Sequence, residues 1–327
     1  MRILFFIQGH DVAASRLRVL QYIPFLNGAG VETEVCEFPR GARGWRSLMP
    51  AIRSADVIFV QRKRLPLSAL LFLKKLGKKI VYDFDDAVMF KNSLAKNPYS
   101  LRRRMSFKRM LKYTDLVIAG NAFLKEEAQK YHRRVVVLPT PIDGDRYREK
   151  TYEENAAVRI GWIGDHGSIH YMESYKDVWE ALGRKYGAKV ELALICDTFI
   201  DTKDIKTIKI PWTLNDEVDE LCRLDIGVMP LFDDLWSRGK CGFKIIQYMG
   251  VGAPVVCTPV GINRDVVEDG VNGFRAGSIE EWGQKLSLLI EDPGLRERMG
   301  RAGRTRIMEG YTVSACAPRL FEWVKGL

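Results

Sequence analysis

No run in the sequence is long or apolar enough to cross a bilayer. The longest apolar stretches, ILFFI and LPLSALLFL, fall well short of the roughly 20 residues a spanning helix needs. The chain opens with a strand-like run after one arginine and shows no small-residue cleavage site, so no signal peptide is expected. Its six cysteines, at positions 36, 196, 222, 241, 257 and 316, contain no CxxC pair and no metal-ligand spacing. That scatter argues for reduced cytosolic thiols and against a structural zinc site.

What is present is a soluble, globular composition, 46% hydrophobic and 28% charged, over 327 residues, a length that favours two domains. The charge is unevenly divided. Residues 1–150 hold 29 Lys and Arg against 14 Asp and Glu, and the remainder 22 against 27, so the whole net charge of +10 resides in the first half. Basic clusters recur there, in QRKRLPLSALLFLKKLGKK and LRRRMSFKRMLKY. Such a surface suits an anionic membrane, a polyanionic acceptor or nucleic acid; a generic solvated face is the plainer alternative.

Short β-rich runs alternate with helical stretches. RILFFIQ, VETEVCEF, DVIFVQR, KKIVYDF, DLVIAG and RVVVLP read as strands, with ASRLRVLQYIPFLNGAG as a helix ended by glycine after the first. Such apolar runs suit strands covered on both faces, hence parallel sheets with right-handed crossovers. PTPIDGDRYREKTYEENAA then reads as a linker, after which VRIGWIGD, VELALICD, IKIPW, DIGVMPL and APVVCTPV restart the alternation. The expected class is α/β, with two doubly wound, Rossmann-like domains facing a central cleft, where ligands meet the carboxyl ends of the strands.

The most informative segment is SRGKCGFKIIQYMGVGAPVVCTPVGINRDVVEDGVNGF, residues 237–274. Gly239 and Gly242 precede a helical run in which Lys240, Lys244 and Gln247 fall at i, i+4 and i+7 on one face, with Phe243, Ile246 and Gly250 on another. A glycine-rich entry, a helix N-terminus and two lysines favour a phosphate or nucleotide ligand over an incidental surface helix.

The same segment resembles the signature of family 4 (group 1) glycosyltransferases of the GT-B fold, in QYMGVGAPVV and in the Asp269–Gly273 turn. GAGVETEV, DLVIAGNAFLKEEA, VRIGWIGDHGSIHY and DPGLRERMGRAGRTRIMEGYT fall where that family places them. The resemblance implies an N-terminal acceptor-side domain over 1–145 and a nucleotide-sugar-binding domain over 156–312, with a C-terminal helix, about 313–327, returning to the first. It implies sugar transfer from a nucleotide-diphosphate sugar to an acceptor hydroxyl, with retention, and with lysines in place of a metal or other cofactor. Two departures stand out. The family's paired glutamates fall here on Gly239 and Gln247, and its Arg and Lys after the first strand of the second domain are replaced by GDHGSIHYM, leaving Arg238, Lys240 and Lys244 to neutralise the diphosphate.

Other positions are weaker. Gly164 and Asp165, in GWIGDHGS, form a cleft-lining or a plain surface turn; Gly261 and Asn263 place backbone N–H groups near sugar or phosphates; Trp212 offers a face for a nucleobase, or simply packs. After the first strand, His10 is a candidate base and Arg16 a donor contact. YDFDDAVMF sets Asp83 and Asp85 on one side of a strand, with Asp86 leaving it. Asp85 and Asp86 are the favoured acceptor-side carboxylates; Asp83 is equally a partner for nearby Arg and Lys. Expected partners are the sugar nucleotide, a glycan or lipid-linked acceptor and an anionic membrane surface met by the basic domain, with nucleic acid disfavoured. The expected location is cytoplasmic, peripheral on the inner membrane face, in cell-surface polysaccharide or glycolipid synthesis. Two alternatives remain: a magnesium-dependent phosphotransferase or phosphatase using Asp83 and Asp85, and a basic nucleic-acid or membrane-binding module.

Overall fold

The apolar runs become two six-stranded parallel sheets in the computed structural model, which describes residues 1–153 and 155–327. The first comprises β1 (Arg2–Ile7), β2 (Glu32–Glu37), β3 (Val57–Gln61), β4 (Lys79–Phe84), β5 (Leu116–Ala119) and β6 (Val135–Val137), in the order β2-β1-β3-β4-β5-β6. The second comprises β7 (Val158–Ile163), β8 (Val190–Cys196), β9 (Lys206–Pro211), β10 (Ile226–Met229), β11 (Val255–Cys257) and β12 (Gly273–Arg275), in the order β12-β11-β10-β7-β8-β9. Each order reverses once, between β1 and β3 and between β7 and β10, which is the doubly wound pattern.

Period-two alternation divides each strand between two cores. In the first sheet Leu4, Phe6, Ile58, Val60, Tyr82 and Phe84 face helices that carry Leu70, Leu73, Phe107 and Met110. Ile3, Phe5, Ile7, Phe59 and Val81 face the opposite layer, where Tyr22 and Leu26 join Cys316, Leu320 and Val324 of the C-terminal helix Val313–Lys325. β12 escaped the sequence reading because it is three residues long and follows a turn; a Cβ at Gly273 would stand 2.7 Å from the Val255 carbonyl oxygen. The single helix expected after β1 is broken into Ala13–Arg18, a 3-10 turn Leu20–Tyr22 and Ile23–Gly28, because Val19 leaves helical geometry (φ −132°) and Pro24 starts the last piece.

The chain forms two compact units, one of Met1–Pro141, Asp234–Cys241 and Val313–Leu327, the other of Ile142–Asp233 and Gly242–Thr312. Against the expected second domain of 156–312, residues 234–241 group with the first unit. Asn121 explains much of that. Its Nδ2 donates to the carbonyls of Arg238 (3.2 Å) and Lys240 (2.9 Å), while its Oδ1 caps the helix Ala122–Gln129 through Leu124 N–H. Cys241 donates its thiol to the Asp85 carbonyl at 3.1 Å, against Gly120, where any Cβ would overlap the sulfur.

Beneath this segment lies a buried ion pair. Arg18 donates Nε (3.2 Å) and Nη2 to the two carboxylate oxygens of Asp83, and Nη1 to the Leu138 carbonyl at 2.7 Å. Burial works against the charge on Arg18, and Asp83 outweighs it, carrying the guanidinium above its ordinary value. Both side chains are shut from solvent, so removing one strands the other. Arg18→Met is expected to cost about 3–5 kcal/mol in chemical denaturation, and Arg18→Leu with Asp83→Leu to recover most of it. A single variant as stable as the parent would refute this role.

Candidate active site

In the second unit the site is built where β7 and β10 part. They pair at Ile160–Ile226 and Gly161–Gly227, then separate, leaving backbone groups without a strand partner. Tyr248, from the helix Phe243–Gly250, fills the gap: its hydroxyl accepts from Ile163 N–H (2.9 Å) and donates to the Val228 carbonyl (3.3 Å). The ring lies where a side chain at Gly227 would be, so glycine at that strand position brings helix and sheet together.

The helix starts on Gly242, which is left-handed (φ 64°, ψ 19°); a Cβ there would also stand 2.8 Å from Ile262. Lys244, in the first turn, places its ammonium 5.4 Å from the centre of the Trp162 ring, and that ring packs where a Gly164 side chain would project. Asn263 is buried beside Gly242, with Nδ2 donating to the Thr258 carbonyl at 2.9 Å and Oδ1 left without a hydrogen-bond partner. Gly261 turns the chain into it at φ 56°. The structure thus gathers Gly164, Gly242, Lys244 and Asn263 around one end of one helix. The expectation that Lys240 shares a helix face with Lys244 and Gln247 is corrected. The helix begins after Gly242, and Lys240 belongs to the segment held by Asn121, its ammonium 5.9 Å from the Trp236 ring. Arg238 lies on that segment too.

Gln247 is buried rather than lining an open surface. Its Nε2 donates to the Tyr147 hydroxyl (2.9 Å), which donates to Glu217 Oε1 (2.8 Å), while Glu217 Oε2 accepts the Trp212 indole N–H (2.9 Å). Burial, followed by Glu217, pushes the Tyr147 phenol well above its ordinary value, so it stays a donor. Trp212 is half-buried and tethered by this chain. Neither Tyr147 nor Glu217 was singled out from the sequence; a glutamate amid the charged run NDEVDE offers no signal that it is buried.

Asp165 accepts from the Ser168 hydroxyl at 2.8 Å, so its carboxylate closes its own turn. The neighbouring His166 pairs with Asp197 at 2.7 Å, and that hydrogen bond raises the imidazole above its ordinary value.

In the first unit the carboxyl ends of β3 and β4 bring Arg62, Asp85 and Asp86 together. β4 ends at Phe84, so Asp85 and Asp86 lie just past the strand, with Asp85 still near enough to act on Asp83 and Arg18. Arg62 bonds Asp86 through Nη2 and lies 3.9 Å from Asp85, whose buried Oδ1 has no hydrogen-bond partner. Burial disfavours the Arg62 charge, and Asp86 and Asp85 more than restore it. Arg62 alone among the described non-glycine residues has positive φ (59°), backbone strain of the kind that collects at functional sites. With both Asp83 oxygens committed to Arg18, the magnesium alternative loses one of its two ligands. His10 lies exposed in the turn after β1 and is not brought to this cluster by any hydrogen bond among the described residues; Arg16 donates to the Asp11 carbonyl at 2.8 Å.

Two doubly wound units, with the last helix in the first of them, define the GT-B architecture. Residues 180–292 match the family model described as glycosyl transferases group 1, so this part of the chain carries a group 1 glycosyltransferase domain, as its sequence resemblance implied. Its fold is similar to that of Anabaena Alr3699/HepE, solved in complex with UDP and glucose (16% identity, 100% of both chains covered, TM-score 0.74). It is also similar to a glycosyltransferase from Rickettsia africae (14% identity, 99% of this chain and 98% of that one, TM-score 0.73). A third likeness is to sucrose-phosphate synthase from Thermosynechococcus elongatus (11% identity, 99% and 98%, TM-score 0.72). No curated protein matches the chain by sequence.

The buried chain of hydrogen bonds explains why an amide stands at 247. Tyr147 spends its proton on Glu217, so its oxygen needs a donor, which an amide supplies and a carboxylate does not. Gln247→Glu is expected to be tolerated when protonated and to lose about 1–3 kcal/mol once ionised. The folded-state carboxyl would titrate above the ordinary glutamate value of about 4.3, so the variant's deficit should grow as pH rises from there. Thermal melts of both proteins across that range check it, and a pH-independent difference would contradict it.

Proposed function

We propose that the protein transfers a sugar from a nucleotide-diphosphate sugar, UDP being the favoured nucleotide, to a hydroxyl of a glycan or lipid-linked acceptor. The reading extends to retention of the anomeric configuration, no metal ion or other cofactor, and a role in cell-surface polysaccharide or glycolipid synthesis. The observation that carries it is the helix Phe243–Gly250, begun on left-handed Gly242 and bearing Lys244 in its first turn. The first N–H groups of a helix have no intrahelical partner, and its dipole favours negative charge there. Left-handed Gly242, packed against Ile262, sets the start of the helix whose N–H groups would meet the diphosphate, and Lys244 adds a cation. Such groups stabilise charge that grows on the leaving diphosphate as the glycosidic bond breaks. UDP is favoured because Alr3699/HepE, of the same fold over its full length, was solved with UDP and with UDP-glucose. Trp212, tethered by Glu217, is the aromatic surface assigned to the nucleobase.

On the acceptor side the reading rests on Asp85 and Asp86. Arg62 pairs with Asp86 and approaches Asp85, and the Oδ1 of Asp85, without a hydrogen-bond partner, can accept a hydrogen bond from an acceptor hydroxyl.

UDP at about 100 times its dissociation constant should stabilise the protein by about 2.7 kcal/mol in thermal denaturation, with GDP and ADP weaker. Lys244→Ala should lower kcat by on the order of 100-fold, the effect of losing one charge-stabilising donor. Turnover should survive a chelator. Unimpaired sugar-nucleotide turnover in Lys240→Ala with Lys244→Ala would sink the assignment.

A further inference from the structure

The excess positive charge of the first unit is concentrated in one layer of helices. Residues 38–114 hold 19 Lys and Arg, 11 of them in helices, against four Asp, at 56, 83, 85 and 86, none of them in a helix. This stretch supplies the helices Gly41–Ser47, Met49–Ser54, Leu67–Lys75 and Leu101–Lys112, whose inner sides meet the core built on Phe6, Val60, Tyr82 and Phe84. Outward, the layer presents apolar side chains as well as cations. Leu101 and Met105 are 74% and 62% exposed, and Leu67 and Leu71 are exposed on the neighbouring helix, which touches theirs. Leu94 and Tyr99 project beside them, from a loop closed by Lys91 N–H on the Pro98 carbonyl at 2.8 Å. Between the first helices of the layer and Leu67–Lys75 runs an apolar groove of about 360 Å³, lined by Trp45, Met49, Pro66, Ala69 and Phe72, with Arg46 at its rim.

Some of the cations are spent internally. Lys74 pairs with Asp115, Arg103 donates to the Phe90 carbonyl and Arg104 to the Tyr131 hydroxyl. The exposed Lys96, Arg102, Lys108 and Lys112 accompany Leu101 and Met105. Apolar side chains set among cations suit the headgroup–acyl boundary of an anionic leaflet, where each basic residue adds attraction. Nucleic acid would meet the charge but leave the leucines and Met105 exposed.

We propose that this helical face docks on an anionic phospholipid leaflet, with the Trp45–Phe72 groove taking part of one hydrocarbon chain. The proposal deepens the acceptor side of the glycosyltransferase reading, because it brings the enzyme to lipid-linked acceptors. The full chain should co-sediment with phosphatidylcholine vesicles containing about 25% phosphatidylglycerol, less so as salt rises from about 0.1 to about 0.5 M, and not with phosphatidylcholine alone. Leu101→Asp with Met105→Asp, and separately Arg102→Glu with Lys112→Glu, should each weaken that binding at least tenfold. Melting temperature and stabilisation by UDP should stay unchanged in both. Acyl-brominated phosphatidylglycerol should quench tryptophan fluorescence, less so in Trp45→Phe. Failure to sediment, equal binding to neutral vesicles, unchanged binding by the Leu101/Met105 variant, or salt-sensitive binding to RNA without vesicle binding would overturn the proposal. Vesicle binding without the quenching difference would overturn the groove's part in it. Nucleotide stabilisation is read in the same preparation. Vesicle binding without it sinks the enzymatic reading alone; the reverse sinks the docking surface alone.

Discussion

Parallel strands that run together and then part leave backbone groups that no neighbouring strand can satisfy, and this constraint organises both units. In the second unit the Tyr248 hydroxyl takes the place of the missing strand, bonded to Ile163 on one side and Val228 on the other. In the first, the N–H of Gln8, just past β1, donates to the Gln61 amide oxygen and the Ser15 hydroxyl, both at 3.2 Å. A buried polar group left unpaired costs about 1–3 kcal/mol, so each opening must be capped by a side chain. The cap then fixes what surrounds it. Tyr248 holds its own helix against β7 and β10, and that helix carries Gly242 and Lys244; Gln61 is followed directly by strained Arg62. The geometry of each candidate site and the topology of its sheet are therefore one problem solved by the same residues.

A similar exchange of roles accounts for the departure from the glycosyltransferase pattern at Gln247. The buried carboxylate of the network is Glu217, on the helix Glu217–Cys222, and Gln247 is its remote donor through Tyr147. A second carboxylate at 247 would set two acceptors on a phenol with one proton. The amide is thus a consequence of the acid at 217, and the two positions are coupled although thirty residues of chain separate them.

Much of the fold was legible because the strands are covered on both faces. Runs such as ILFFI and VIFV can hardly be read otherwise, and eleven of the twelve strands follow from them. The failures share a cause: they depend on which distant group a side chain meets. Periodicity put Lys240 on a helix with Lys244, yet Asn121, more than a hundred residues away, holds the Lys240 backbone in another unit. The same limit hid Arg18, which reads as one more cation in SRLR and is the buried partner of Asp83. Within DFDD, pattern alone could not divide three carboxylates between a fully buried ion pair and a half-buried cluster past the strand end, because the division is made by Arg18 and Arg62.

That division also changes the meaning of the charge count. A surplus of +15 over the first 150 residues suggests a uniformly basic surface, but Arg18 is buried, Arg62 serves two aspartates and Lys74 serves Asp115. Such pairs consume cations one at a time, and they do so where acids exist. The acids of residues 38–114 stand only at 56, 83, 85 and 86, at strand ends and not in the helices. The outer sides of those four helices consequently carry no carboxylate of their own, and the nearest helical acids are Glu126 and Glu127 of the neighbouring helix Ala122–Gln129. Local pairing removes charge at the strand ends and leaves most of what remains on the helical face. A charge asymmetry that looks global in the sequence becomes, once the pairs are made, the property of one surface.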